Sequence, residues 1–212
     1  LVTSWVGLTG SLAASGRLTF GGAVPPPAMI LFVSGFILTV VIGVSPFGRR
    51  LALGLPLWLL VGFQAFRIPV ELGIHWAHAE GLAPVQMTYF GFNFDIITGL
   101  TAIPMAWLVA TCRMPRWGLW IWNFVGLALL VNVVTVAMLS APTPFRVFQN
   151  APANVWVTFV PFVWLPTVMV LAALGGHVLL FRRLAHCRAS DKKQGLDRAL
   201  MVVERAPGPD CS

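Results

Sequence analysis

Apolar residues in this chain fall in long unbroken runs. They show neither the alternation of a half-buried strand nor the narrow stripe of a soluble amphipathic helix. Five runs, roughly 28–45, 51–79, 95–112, 117–140 and 155–181, reach or approach the ~20 residues that a helix needs to cross a bilayer. A shorter apolar piece at 1–14, LVTSWVGLTGSLAA, reads as a first, short helix, although its SLAASG end also resembles a signal-peptide cleavage site. The pattern predicts an all-α fold, a polytopic transmembrane bundle of about six helices with five full spans and a short N-terminal one. Pro56, Pro69, Pro104, Pro161 and Pro166 lie inside the runs, where freed carbonyls predict kinks. Residues 1–184 would form the bundle. The charged stretch 185–212 reads as a flexible cytoplasmic tail, with a short helix around Leu196–Val203.

Composition excludes a water-soluble domain. Of 212 residues, 58% are hydrophobic and 10% charged, with nine Trp and fifteen Phe, whereas soluble domains carry about 25% charged residues. The net charge of +7 would suit nucleic acid, but its distribution does not. Outside two short loops and the C-terminal stretch, the basic residues are Arg17, Arg67 and Arg146. Arg49 and Arg50 separate the second and third helices, Arg113 and Arg116 the fourth and fifth, and Arg182, Arg183, Arg188, Lys192 and Lys193 follow the last. Positive loops stay in the cytoplasm. This predicts a multi-pass protein of a bacterial inner (plasma) membrane with both termini cytoplasmic. Cys112, Cys187 and Cys211 then sit on the reducing side, without the spacing of a disulfide framework or a zinc site.

The exception to the apolar pattern is FRIPVELGIHWAHAEG at 66–81. At about 100° per residue, with Arg67 at zero, Glu71 falls near about 40°, His75 near about 80°, His78 near about 20° and Gln64 near about 60°. One narrow face thus gathers the polar side chains, and the opposite face carries Phe66, Pro69 and Trp76. Polar groups turn inward because a charge at mid-bilayer costs about 2.5–3.5 kcal/mol. Counted from Leu51, Arg67 sits roughly 24 Å along the helix and the histidines roughly 36–40 Å, near the outer interface.

Two readings stand for each layer. Arg67 and Glu71, spaced i, i+4, form an intrahelical ion pair, or Arg67 meets an anionic substrate or headgroup. His75 and His78 are interfacial residues bonded to loop carbonyls, or they begin a metal site that another element must complete. The following loop, GLAPVQMTYFGFNFD at 81–95, adds Thr88, Asn93 and Asp95 to the outer side, among Tyr89, Phe90, Phe92 and Phe94, which suit an interfacial belt. Asp95 reads first as the cap of the fourth helix. Asn154, before the last helix, belongs to the same side. His177, five residues before Arg182, reads as too close to the cytoplasm to join them. Asn123 and Asn132 are explained by hydrogen bonds between helices.

The run 66–102 resembles an uncharacterised family of bacterial polytopic inner-membrane proteins. The resemblance rests on an Arg-x-x-x-Glu helix (Arg67, Glu71), a Pro-x-x-Met-Thr loop (Pro84, Met87, Thr88) and Asn-x-Asp-Ile at the next helix (Asn93, Asp95, Ile96). The final PFVWLPTVMV helix followed by His177 is similar too. About a third of the chain is covered directly, and the resemblance implies no activity, substrate or cofactor.

No GxSxG, HExxH, P-loop or GxGxxG motif is present. The leading expectation is a periplasm-facing polar pocket of Arg67, Glu71, His75, His78, Thr88, Asn93, Asp95 and Asn154. It would serve binding, transport or an accessory role in a membrane complex. The alternatives are a membrane-embedded enzyme acting on a lipid or periplasmic substrate, with a divalent metal at His75 and His78, and a scaffold with no ligand. No cofactor is otherwise expected. Expected partners are the lipid bilayer, a small-molecule or lipid ligand, and a membrane-protein partner or second copy, with no nucleic acid.

Overall fold

The computed structural model describes residues 2–20 and 25–186. Arg188, Lys192, Lys193, Cys187, Cys211 and the helix expected around Leu196–Val203 lie outside the described residues. The fold is all-helical, with no strand among the described residues. Helix α1 spans Val2–Ala14, α2 Pro27–Val44, α3 Pro46–Gly54, α4 Leu57–Gly62 and α5 Arg67–Ala79. They are followed by α6 at Ile96–Ala110, α7 at Arg116–Ser140 and α8 at Leu165–His186.

Four segments are long and apolar enough to cross a membrane: Pro27–Val44, Leu57–Ala79, Arg116–Ser140 and Leu165–His186. Ile96–Ala110 is a shorter apolar helix of 15 residues, and α1 has 13. Two of the expected helices begin later than the hydrophobic runs suggest. The run from Leu51 breaks at Leu55–Pro56, so α3 is a separate segment and the long apolar helix starts at Leu57. The run from 155 becomes a long apolar helix only at Leu165, because Trp156–Thr158 is an isolated 3₁₀ turn. Hydrophobicity marks what can enter lipid, whereas prolines decide where a helix can begin.

Pro69 also leaves its mark within the 57–79 helix. It has no N–H to offer the carbonyl four residues back and its ring crowds it. There the chain tightens into a 3₁₀ turn at Phe63–Phe66, which joins α4 to α5. A π-helical turn at Leu165–Met169 opens α8 at Pro166.

The buried core is divided along the bundle. At one end Val61, Leu119, Leu180 and Leu184 pack with Met105, Val109 and Met114. Leu130, Val133, Ala173 and Leu174 fill the middle. Ile74, Ala77, Ala83, Met87, Val136 and Trp156 close the other end. Arg182 donates to the carbonyls of Gly43 and Ser45 at 2.7 and 2.6 Å, and Arg183 to Leu53 at 3.0 Å. The C-terminus of α2, helix α3 and the last turn of α8 therefore share one end.

The surface is strongly apolar and the interior holds polar side chains. Ile30, Ile37, Leu100, Trp117 and Phe124 are exposed, while Gln64, Arg67, Glu71, Asn93, Asp95, Asn123 and His177 are buried. Soluble proteins arrange these classes the other way round.

Candidate functional site

Six buried polar residues, Arg67, Glu71, Asn93, Asp95, Asn123 and His177, form one connected network across four helices. Arg67, at the start of α5, makes an ion pair with Asp95, which immediately precedes α6. It also reaches the Gly126 carbonyl of α7 at 3.5 Å, and its second terminal nitrogen lies 2.9 Å from Nε2 of His177 on α8. A guanidinium can only donate, so His177 Nε2 accepts and its Nδ1 carries the proton. That proton goes to Asn123 Oδ1 at 2.7 Å, and the Asn123 amide donates back to the His177 carbonyl at 3.1 Å. All these donors and acceptors agree on one tautomer.

Asn93 organises the two carboxylates. Its amide donates to Glu71 Oε2 at 2.7 Å and to the Met87 carbonyl at 2.9 Å. Its oxygen accepts from the Asp95 backbone N–H at 3.1 Å, closing a local turn of the kind asparagine favours. Thr98 donates to Asp95 Oδ1 at 3.4 Å. The elements approach closely enough because two contact points lack a side chain. A Cβ on Gly99 would lie 3.0 Å from the Ile68 backbone nitrogen, and one on Gly126 would lie 2.7 Å from His177 Cε1.

Several sequence expectations are corrected here. Arg67 pairs with Asp95 on the next helix, not with Glu71 one turn along; Glu71 is instead held by Asn93. Asp95 makes no side-chain cap to α6, since its carboxylate is committed to Arg67 and Thr98. His177, expected not to join the outer histidines, meets Arg67 and Asn123 instead. At ~1.5 Å per residue, Arg67 is roughly 15 Å from Leu57 and His177 roughly 14 Å from His186, so the two meet at one depth. The count from Leu51 puts Arg67 roughly 24 Å along its helix, and His177 is placed only by its five residues to Arg182.

The outer layer is organised differently. His78 Nδ1 lies 2.8 Å from the Ala83 carbonyl, as expected of a histidine bonded to a loop carbonyl. The His75 ring packs on Tyr89 and Phe90 with centroids 4.8 and 5.3 Å away, and its buried Nδ1 has no partner. No group of three or more His, Cys, Asp and Glu residues among the described residues could hold a metal ion. Thr88 is buried and its hydroxyl turns back to the Val85 carbonyl at 2.8 Å. Asn132 donates to the Phe92 carbonyl at 2.6 Å, from α7 to the loop.

Beside the network lies a cavity of about 230 Å³ between α2, α5, α7 and α8. Its walls are almost wholly apolar, from residues such as Phe32, Val70, Val133, Val134, Val157 and Val170. Its polar lining includes Arg67, Glu71, Asp95 and Asn154. Four of the eight pocket residues expected from sequence thus line it. Asn93 lies behind Glu71, and Thr88, His75 and His78 stand apart from it. The contributions of α2 and α7 were not readable, because their cavity-facing residues are ordinary apolar ones.

Residues 24–185 match the family described as a domain of unknown function (DUF8737). The chain belongs to this family. The matched region contains every residue of the network and of the outer histidine layer. No curated protein and no solved structure matches the chain.

Proposed function

We propose that this chain is a multi-pass membrane protein that binds an amphiphilic molecule between its helices, in a binding or transport-related role. The observation that carries this reading is the cavity itself: apolar walls that end on Arg67, Glu71 and Asp95. Ligand sites typically combine apolar linings with a few convergent polar groups. A cavity between lipid-exposed helices would take its ligand from the bilayer, with the apolar part along α7 and α8 and the polar part at the network.

Orientation follows from the basic residues. Arg49, Arg50, Arg113, Arg116, Arg182 and Arg183 all lie at or next to the end closed by Val61, Leu119 and Leu184. That end is cytoplasmic by the positive-inside rule, in a bacterial inner membrane with both ends of the bundle inside. The cavity, between the network and the 139–157 segment, then belongs to the periplasmic half.

Binding of a polarity-sensitive fluorescent amphiphile to the purified protein tests the reading. Val134→Phe places a ring in the cavity and should weaken binding at least about tenfold, worth about 1.4 kcal/mol, with little change in Tm. Undiminished binding in this variant sinks the assignment.

A further inference from the structure

The network decides which kind of head group the cavity can take. Arg67, the cation of the site, is already committed: its terminal nitrogens serve Asp95, Gly126 and His177. Three of its five N–H groups are thus used, and an anionic head would have to break the ion pair or settle for the second Nη2 hydrogen and the Nε–H, which has no partner. Acceptors, by contrast, are in surplus. Asn154 is buried and lines the cavity; its amide donates to the Ala137 carbonyl at 2.9 Å, which leaves Oδ1 without a donor. Glu71 uses Oε2 on Asn93, and its Oε1 receives no hydrogen bond from the described residues. The Asp95 hydrogen bonds likewise fall on Oδ1.

Charge points the same way. Arg67 and Asp95 offset one another, while Glu71 has no ion-pair partner among the described residues. A carboxylate removed from water without a counter-charge is strongly unfavourable, and in a low-dielectric site a cation beside it gains far more than it would in water. A ligand bearing an ammonium group would supply that charge and the donors that Glu71 Oε1 and Asn154 Oδ1 lack.

We infer that the cavity selects an amphiphile with a protonated amine head, held by Glu71 and Asn154, over one with an anionic head. This rests on the cavity being a ligand site. Its volume of about 230 Å³ corresponds to roughly eight groups of water size, at about 30 Å³ each, so single-chain probes of matched length suffice.

The experiment is native mass spectrometry of the full-length protein released from lipid nanodiscs, with octylamine, octanol and octanoate compared at equal concentration. Octylamine should bind at one copy per chain and at least about tenfold more tightly than octanoate, with octanol between them. Glu71→Gln should remove that preference while octanol binding persists. Because the wild-type ranking needs no variant, a Glu71→Gln protein that fails to fold leaves the test intact. Octanoate binding as tightly as octylamine, with Val134→Phe blocking both, overturns the head-group inference but leaves the ligand site standing. No probe binding at all overturns both.

Discussion

The two polar layers of the Leu57–Ala79 helix differ in kind. In the inner layer, Arg67 and Glu71 spend their hydrogen bonds on partners from other elements: Asp95, Gly126, His177 and Asn93. In the outer layer, His78 bonds only five residues away, to Ala83, and His75 packs on the rings of the adjoining loop. The first layer joins helices distant in sequence, and the second closes its own turn. A row of polar residues on one helical face is therefore not one site. Depth separates the residues that must find partners from those that can use the nearby backbone.

The largest expected effect comes from breaking the inner layer. Arg67→Met strands Asp95 as a buried carboxylate and should cost about 3–5 kcal/mol, whereas Arg67→Met with Asp95→Leu removes both charges and should recover much of it. Thermal unfolding of the purified variants in one detergent measures this. Equal damage in single and double variants would refute the pairing.

Gly126→Ala should have the next largest effect, about 1–3 kcal/mol from overpacking, because the new methyl meets the His177 ring at 2.7 Å. It should also shift the imidazole resonances of His177 in an NMR spectrum. A variant with wild-type Tm and unchanged resonances contradicts the close contact.

The smallest effect belongs to the outer layer. His78→Ala loses one hydrogen bond to Ala83, worth about 0.5–1.5 kcal/mol, and should leave amphiphile binding unaltered because His78 does not line the cavity. If His78→Ala destabilises as much as Arg67→Met, the contrast between the layers fails.

Much of the fold was legible because lipid compatibility is a local property. The apolar runs identified the four long helices and the shorter 96–110 segment, and the polar face of the 57–79 helix carried Gln64, Arg67 and Glu71, which are buried. Boundaries were less legible, since Pro56 and Pro166 set helix starts inside runs that hydropathy treats as continuous. The count from Leu51 placed Arg67 too far along its helix, and the short distance from His177 to Arg182 gave no sign that the two side chains meet. Asn123 was recognisable as a polar residue within a span, yet nothing local marked His177 as its partner. The i, i+4 spacing of Arg67 and Glu71 was a true local feature that lost to a stronger alternative. Asp95 reaches Arg67 across a contact that Gly99 makes close, and Asn93 claims Glu71.

The sequence by itself determined that this chain carries helices apolar enough for a bilayer and that Arg67 and Glu71, on one face of an apolar helix, would turn inward. Those follow from composition and from periods of a few residues. Tertiary structure alone decided who pairs with whom and where space is left. Pairing energies depend on distances between segments far apart in the chain, and a cavity is a gap between walls. Arg67 became the centre of the molecule only once α6, α7 and α8 had been packed around it.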